Sequence, residues 1–229
     1  MRASTGGSVA LLRSEDPNEW TSFLDRYDEA VDAVSKRKKL KDSQLVEYDQ
    51  WIRSEFPEPF SDGASVALCP SELERIMQWK LWRGKDRPML MSLVRQNSAS
   101  AVRTITGDAI ALAKQSQWRD AVVKMSELRG IGPATASAIL SHLYPEGIVF
   151  MADEVIEATT GKKREYTMKA YDTVICCILA KKKKLGSEWT PEKIGRALWV
   201  AGVLSLEDDS GAPRSVKGAE VTGQKRKRT

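Results

Sequence analysis

The sequence predicts an all-α protein, on three observations. Apolar residues recur at steps of three and four along most of the chain, as they do on one face of a helix. No segment alternates apolar and polar residues for long enough to form a half-buried strand. Proline, glycine and capping residues separate the periodic stretches by short links. We therefore expect one helical domain over residues 17–205, with helices from 17–60 packed on a core formed by 70–205.

The N-terminal half begins with a stretch that has little tendency to fold. Residues 1–16 are rich in Ser, Gly and Thr, and we expect them to be disordered. Beyond them, amphipathic stripes and capping residues place helix starts near Asp16, Ser43, Ser71, Pro88 and Ser98. The clearest start is a capping box with Ser71 as N-cap and Glu74 as its partner, in a helix that ends at Gly84.

The C-terminal half carries the same periodicity as far as residue 205. A helix over 118–128 leads into a glycine-bearing turn, and a helix of small residues follows the turn. Later helix starts are expected at Asp153, Thr167 and Thr190, because Asp and Thr are favoured N-caps. Residues 206–229 are polar and end in a basic run, so we expect a disordered basic tail.

The composition excludes several classes of protein. The chain has 229 residues, 41% of them apolar, and no apolar run approaches the roughly 20 residues that span a membrane. One histidine, His142, and three cysteines offer no zinc or iron–sulfur spacing. We therefore expect no metal, no cofactor and no membrane partner, and we interpret His142 as a core or edge residue with a structural role. A monomer is expected.

The charge is compatible with a polyanionic partner. The net charge is +5, and its excess lies in four short basic runs, 36–39, 162–164, 181–184 and 225–228. Any one run is usually a solvated surface, so the balance permits nucleic-acid binding without requiring it. The run 225–228 looks like a nuclear localisation signal, and a nuclear protein is expected. The first thirteen residues contain arginine and no acid, which leaves a mitochondrial location as the alternative.

The stretch from Leu128 to Ala136 is the most informative part of the chain. Gly130 and Gly132 flank one apolar residue, and Pro133 stands where a first helical turn begins. A helix start preceded by glycines leaves backbone amides free, and such an end binds anions such as phosphate. The alternative is an ordinary corner between two helices, packed on Ile131. The turn alone does not decide between them.

This stretch and the acid that follows it resemble the helix-hairpin-helix DNA glycosylase superfamily. Asp153 lies nineteen residues after Ala134, behind a helix, a turn and a short apolar segment. The matching residues are Leu128, Gly130, Ile131, Gly132, Pro133, Thr135 and Ala136 in the turn, and Phe150, Met151, Ala152 and Asp153 beyond it. The resemblance implies a glycosylase-like helical fold, double-stranded DNA as partner, and Asp153 as the catalytic carboxylate. It also implies that the DNA backbone is held by Gly130, Ile131, Gly132, Ala134 and Thr135.

Two departures from the family pattern limit what the resemblance implies. The bifunctional members carry a hairpin lysine that forms a Schiff base, whereas the matching position here is Ala134, so a lyase step by that residue is not expected. The adjacent Glu154 is an additional acid without an assigned role. The alternative for Asp153 is a plain helix N-cap, a role that can coexist with catalysis. A monofunctional base-excision-repair enzyme and a catalytically silent DNA-binding relative therefore both stay open, beside a helical interaction domain that never binds nucleic acid.

A second candidate surface interleaves aromatic and basic residues between Trp79 and Arg87. Rings can stack on bases, and cations can hold phosphates. We interpret Trp79 as a core residue. The DNA contacts predicted here and in the loop after the Asp153 helix are Trp82, Arg83, Lys85, Arg87, Lys162 and Lys163. The alternative for the charged side chains is an ordinary solvated surface.

Overall fold

A computed structural model describes residues 6–41, 44–61, 63–161 and 164–210, and every regular element within these ranges is a helix. The all-α prediction is therefore confirmed. The helices are α1 (Gly6–Arg13), α2 (Pro17–Leu24), α3 (Tyr27–Arg37), α4 (Gln44–Ser54), α5 (Glu58–Ser61), α6 (Pro70–Arg83), α7 (Pro88–Val94), α8 (Ala99–Lys114), α9 (Trp118–Met125), α10 (Pro133–Leu143), α11 (Asp153–Thr160), α12 (Met168–Leu185) and α13 (Pro191–Ser210). None of them is long and apolar enough to cross a bilayer.

Helix α13 is the centre of the first of two groups of helices. It packs against α1, α2, α3, α11 and α12. Ile194, Leu198 and Val200 have no exposed surface, and Trp199 is 2% exposed, so the helix is apolar over most of its circumference. Such a helix is stable only when neighbours surround it, which explains why five other helices contact α13.

The second group is formed by α6 to α10. Helices α8 and α9 pack on one another, α9 packs on α10, and α6 contacts both α7 and α10. The small residues of α10, including Ala136 and Ala138, are completely buried. Their size lets neighbouring helices approach closely. Because the end of α6 and the start of α10 lie near the start of α11, the two groups meet at a cleft.

One buried carboxylate joins the N-terminal helices to α6. Asp49 on α4 is 1% exposed and accepts hydrogen bonds from the Tyr27 hydroxyl at 2.8 Å and from Trp79 Nε1 at 2.9 Å. Its other oxygen lies 2.8 Å from Nε of Arg53. The Tyr27 hydroxyl in turn accepts from Arg83 at 3.0 Å. Trp79 is fully buried, as predicted. This network, which we call the Asp49 cluster, fixes the end of α6 that faces the cleft.

The prediction that residues 1–16 are disordered is wrong for the described part of that segment. Residues 6–13 form α1, and Leu11, at 1% exposure, packs into the core. Glycines allow the close approach: a Cβ on Gly7 would lie 2.3 Å from the carbonyl oxygen of Ala201, and one on Gly202 would lie 2.5 Å from Ser8 Oγ. The composition that suggests disorder is therefore what lets α1 lie flat on α13.

Two further boundaries differ from the predicted ones. Helix α6 begins at Pro70, not at Ser71, because its N-cap is Cys69 and the Glu72 carboxylate accepts from the Cys69 amide at 2.7 Å. Both Glu72 and Glu74 have a capping spacing, and proline at N1 favours the earlier one. Helix α13 extends to Ser210, five residues beyond the predicted domain end, and the rest of the predicted tail lies outside the described residues.

Candidate nucleic-acid interface and active-site cleft

The cleft between the two groups contains most of the residues that the sequence singled out. It has a volume of about 170 Å³, less than the roughly 300 Å³ at which pockets for drug-sized ligands begin. Its walls come from the end of α6, the turn between α9 and α10, the start of α11, and Trp199 of α13. The predicted site residues that line it are Arg83, Lys85, Arg87, Gly130, Gly132, Ala134, Thr135 and Asp153.

The turn between α9 and α10 is held from behind by α7 and by Asn97. Gly130 has φ of +77°, and a Cβ there would lie 3.0 Å from the carbonyl oxygen of Leu90, so only glycine fits without strain. Asn97 accepts from the Arg129 amide at 2.9 Å and donates to the Arg129 carbonyl at 3.0 Å. These contacts fix the backbone of the turn in a single conformation.

The turn presents free backbone amides to the cleft. Gly132 is the N-cap of α10, and no acceptor is recorded for the amides of Gly132 and Ala134 among the described residues. A Cβ on Gly132 would meet nothing within 4 Å, so the space in front of it is open. Ile131 and Thr135 are only 4% and 3% exposed. Of the DNA contacts predicted for them, only contacts through their backbone atoms are compatible with this burial. Ile131 packs in the core and does not line the cleft.

Asp153 is the first residue of α11 and does not cap it. The N-cap is Ala152, so the alternative that Asp153 serves as a plain N-cap is wrong. The preceding segment is tied to the hairpin helix, because the Met151 amide donates to Ser137 Oγ at 3.1 Å. The side chain of Asp153 is 16% exposed, at the wall of the cleft.

Two donors orient the Asp153 carboxylate. The Tyr166 hydroxyl donates to one oxygen at 2.7 Å, and Arg164 donates to the other at 2.8 Å. Burial and the adjacent Asp153 raise the pKa of Tyr166, so that its hydroxyl remains a donor at neutral pH. Arg164 is shared with the buried Glu157. A carboxylate has about four acceptor positions, so two remain for a substrate or a water molecule.

Glu154, beside Asp153, also lines the cleft. Burial, and next the charge of Asp153, raise its pKa to about 7. Its side chain packs on α13, since a Cβ on Gly202 would lie 2.6 Å from Glu154 Cγ. Near neutral pH this acid can therefore give or take a proton, unlike an ordinary surface glutamate.

Cationic side chains outnumber acidic ones in the cleft. Lys80, Arg83, Lys85 and Arg87 face only Asp153 and Glu154 among the acids of its lining. Lys85 is exposed and Arg87 is half-buried, with its guanidinium 4.5 Å from the centre of the Tyr166 ring. The excess of positive charge at the mouth attracts an anionic chain.

Arg83 differs from the DNA contact that the sequence predicted. It is only 9% exposed, with its guanidinium 3.8 Å from the centre of the Trp199 ring and Nε without a partner among the described residues. It lies deep in the cleft, stacked on aromatic rings, and cannot grip a phosphate on the outside. Interleaved aromatic and basic residues predict such a buried stack as readily as a DNA-binding surface.

Of the three other predicted contacts, the structure describes only Trp82, and it lies away from the cleft. Trp82 packs edge-on against Tyr48, with ring centres 4.8 Å apart, and does not line the cavity. Lys162 and Lys163 lie outside the described residues. Of the DNA contacts predicted between Trp79 and Arg87, only Lys85 and Arg87 lie at the mouth of the cleft.

Sequence reasoning missed several residues of the cleft. Tyr166 stands in an irregular loop and has no periodic pattern that could have marked it. Phe150 and Trp199 read as core residues, and both also form cleft walls. Lys80 lies inside the segment between Trp79 and Arg87, and its spacing of three residues from Arg83 on α6 is the signal that would have indicated it.

Neither protein-family models, curated proteins nor solved structures match this chain. Over the part of the chain that the structure describes, no group of three His, Cys, Asp or Glu side chains could hold a metal ion. His142 is partly exposed, but burial of its imidazole lowers its pKa to about 3, so it stays neutral. The functional candidates are therefore the carboxylates, the cations and the free amides of the cleft.

Proposed function

We propose that this chain is a divergent member of the helix-hairpin-helix DNA glycosylase superfamily that binds duplex DNA and excises a base. The observation that carries the proposal is that Asp153 and the free amides of Gly132 and Ala134 line one cleft. Free amides at a helix start suit a phosphate, and a carboxylate beside them suits the sugar of a neighbouring nucleotide. We include a nuclear location in the proposal, on the basis of the run 225–228.

The proposed reaction is hydrolysis of the N-glycosidic bond of a nucleotide turned out of the duplex. The bond between sugar C1′ and the base nitrogen breaks, and the base leaves with the electron pair. The Asp153 carboxylate stabilises the positive charge that develops on the sugar and orients the water that adds to C1′. Trp199 and Phe150 supply aromatic walls for the extruded base, and Arg83 supplies an unpaired N–H donor.

A second candidate function is DNA binding without catalysis. Arg164 donates to Asp153 at 2.8 Å and offsets the negative charge that would stabilise a sugar cation. In that case the cleft would hold an extruded or damaged nucleotide without cleaving the bond. Both functions require the same DNA-binding turn.

The test is base release from duplexes that each carry one damaged or mismatched base, scored as abasic sites. We expect Asp153→Asn to lower release by roughly 10²–10³-fold while duplex affinity is retained. Asp172→Asn is the matched control, because Asp172 also pairs with an arginine, Arg119, but on an exposed surface. Release that is unchanged in Asp153→Asn would remove Asp153 from the reaction, and no release from any duplex by a protein that binds them would favour the second function.

The DNA-binding turn is tested separately. Gly132→Glu places a carboxylate in the open space before the free amides, so duplex binding should be lost. Gly132→Ala adds only a methyl group there and should bind nearly as well. Binding by the parent chain should weaken steeply with salt, and absent or salt-insensitive binding would contradict both DNA functions.

A further inference from the structure

Arg83 is a buried cation without an acidic partner. Two other arginines lie over the same tyrosine ring of the Asp49 cluster, and both are paired. Arg53 forms an ion pair with Asp49 at 2.8 Å, and Arg196 forms one with Glu192 at 2.6 Å. Among the described residues, no carboxylate forms an ion pair with Arg83. Buried charges are normally paired, because the loss of hydration is costly, so this exception calls for an explanation.

Most hydrogen-bond donors of Arg83 are also unused. A guanidinium has five N–H donors and no acceptor. Nη1 donates to the Tyr27 hydroxyl at 3.0 Å, and no partner is recorded for Nη2 or Nε within the described part of the chain. A second, smaller cavity that Arg83 lines has a volume of about 10 Å³, which is room for one water molecule at most. One water cannot satisfy all the remaining donors, so some are left for a group that enters the cleft.

Aromatic rings hold the guanidinium at the inner wall of the cleft. It lies 3.8 Å from the centre of the Trp199 ring, 5.0 Å from that of Trp79 and 5.6 Å from that of Phe150. Trp199, Phe150 and Arg83 all line the cleft, and Arg83 is only 9% exposed. A planar ring that enters between these aromatic walls therefore meets hydrogen-bond donors at its inner edge.

We propose that Arg83 determines which extruded base the cleft accepts, favouring bases whose inner edge carries a carbonyl oxygen over bases that carry an amino group there. A carbonyl oxygen accepts a hydrogen bond from the guanidinium. An amino group would instead set two donors against each other and leave both unsatisfied in a buried site. The inference rests on the proposed function in that a base must be turned into the cleft, but it does not require the base to be hydrolysed.

The substrate class that follows is that of deaminated bases. Deamination replaces the exocyclic amino group of cytosine or adenine by a carbonyl oxygen, which gives uracil or hypoxanthine. The change converts a donor into an acceptor at one position and leaves the size of the ring unaltered. A residue that only donates distinguishes the two, whereas aromatic walls alone do not. The charge of Arg83 also disfavours cationic bases such as N7-methylated guanine, because two cations would then share a buried site.

The test is the duplex affinity of the full chain for pairs of bases that differ in this one group. Uracil is compared with cytosine, and hypoxanthine with adenine. Each base stands opposite a reduced abasic residue, so that no base pair has to open, and each carries a 2′-fluoro sugar, which resists hydrolysis. We expect the carbonyl member of each pair to bind roughly 10–100-fold more tightly, as one hydrogen bond to a charged group allows. N7-methylated guanine should bind more weakly than guanine.

Variants of Arg83 test the residue itself. The side chain of Arg83→Gln offers both a donor and an acceptor, so the preference within each pair should be lost. Arg83→Lys keeps a cation that only donates and should retain the direction of the preference. Arg119→Gln is the matched control, because Arg119 pairs with Asp172 on an exposed surface and does not line the cleft. Urea unfolding of the Arg83 variants establishes that they fold.

The outcomes separate this inference from the glycosylase proposal. A base preference without release from hydrolysable duplexes keeps the role of Arg83 and rejects hydrolysis by Asp153. Base release by a chain that shows no preference within the pairs keeps hydrolysis and rejects Arg83. A preference that survives in Arg83→Gln, or tighter binding of the amino-bearing bases, also overturns the inference. Because the pairs are first compared in the parent chain, equal affinities there reject it even if the variants do not fold.

Discussion

Asp49 and Asp153 are held by nearly the same donors and yet lie in very different surroundings. Each accepts a hydrogen bond from a tyrosine, Tyr27 or Tyr166, at 2.8 and 2.7 Å. Each also pairs with an arginine, at 2.8 Å in both cases. Asp49, however, is 1% exposed and has a third donor in Trp79, whereas the Asp153 side chain is 16% exposed and faces the cleft.

The comparison separates a structural carboxylate from a candidate for chemistry. Two hydrogen bonds to one oxygen of Asp49 and an ion pair at the other come from three helices, so its charge holds α3, α4 and α6 together. Those around Asp153 come from the loop that follows its own helix, and acceptor capacity remains. The hydrogen-bond donors alone therefore do not distinguish the two carboxylates. The exposure of Asp153 to the cleft does.

The largest effect we expect is on stability, from removal of the buried carboxylate. Asp49→Ala leaves the Tyr27 hydroxyl and Trp79 Nε1 without their acceptor and removes one of the two carboxylates that pair with Arg53, so it should lower the free energy of unfolding by about 3 kcal/mol. Asp153→Asn should lower it by less than about 1 kcal/mol, because that ion pair is partly solvated. Urea unfolding of both variants measures the difference, and equal losses would refute the distinction drawn here.

The two glycines of the turn give the next contrast. Gly130→Ala forces a side chain into φ of +77° and to 3.0 Å from the Leu90 carbonyl oxygen, so we expect a loss of roughly 1–3 kcal/mol. Gly132→Ala has an ordinary φ of −106° and open space before it, and should change stability by less than about 0.5 kcal/mol. The urea midpoints of the two variants decide the matter. A larger loss at Gly132 would mean that the turn is held differently.

The raised pKa of Glu154 should make the free energy of unfolding depend on pH. Because its folded-state pKa of about 7 exceeds the ordinary glutamate value of 4.5, the native state keeps a proton that the unfolded state has released between these values. The free energy of unfolding should therefore fall as pH rises from 4.5 to 7. Glu154→Gln should remove that fall and be more stable than the parent chain at pH 8.

The measurement is urea unfolding of both proteins at pH 5 and pH 8. His142, whose pKa is lowered to about 3, acts in the opposite direction, because its stability contribution falls as pH drops below its ordinary 6.5. Taking the difference between the variant and the parent at each pH removes the His142 contribution. A difference that does not change with pH would show that Glu154 is ionised throughout.

The smallest effect concerns the rim of the cleft. Lys85 is exposed and lines the mouth, so Lys85→Ala should weaken duplex binding only modestly and reduce the slope of log affinity against log salt by about 1. Lys114→Ala removes a comparable exposed charge on α8, away from the cleft. Binding titrations between low and moderate salt test the pair, and equal slopes for both variants would place the DNA elsewhere.

The parts that could be predicted from the sequence are local in the chain. The helices follow from the spacing of apolar residues, and the juxtaposition of the turn with Asp153 follows from one helix and one loop between them. The cap of α12 was predictable for the same reason, since Thr167 accepts from the amide of Ala170, three residues on. In each case the partners are near neighbours, and the backbone geometry determines their distance.

What the sequence could not predict depends on contacts between distant segments. Tyr166, Lys80 and Trp199 reach the cleft from three different parts of the chain, and no spacing rule relates them. Arg83 was misread because a cation stacked on buried rings and a cation beside exposed rings share one pattern. Helix α1 was missed because a glycine-rich stretch signals disorder in isolation, whereas Gly7 is a contact point against α13.

The hydrogen bond from the Met151 amide to Ser137 Oγ sets the distance between the turn before α10 and the segment that carries Asp153. Ser137 lies five residues into the chain beyond Gly132, about 7 Å along the axis of α10. A DNA strand bound at the turn would therefore reach the Asp153 segment at a fixed distance from the bound phosphate. The loop between α10 and Met151 is bypassed by this bond. A change in its length should therefore leave the distance between the turn and the Asp153 segment unaltered.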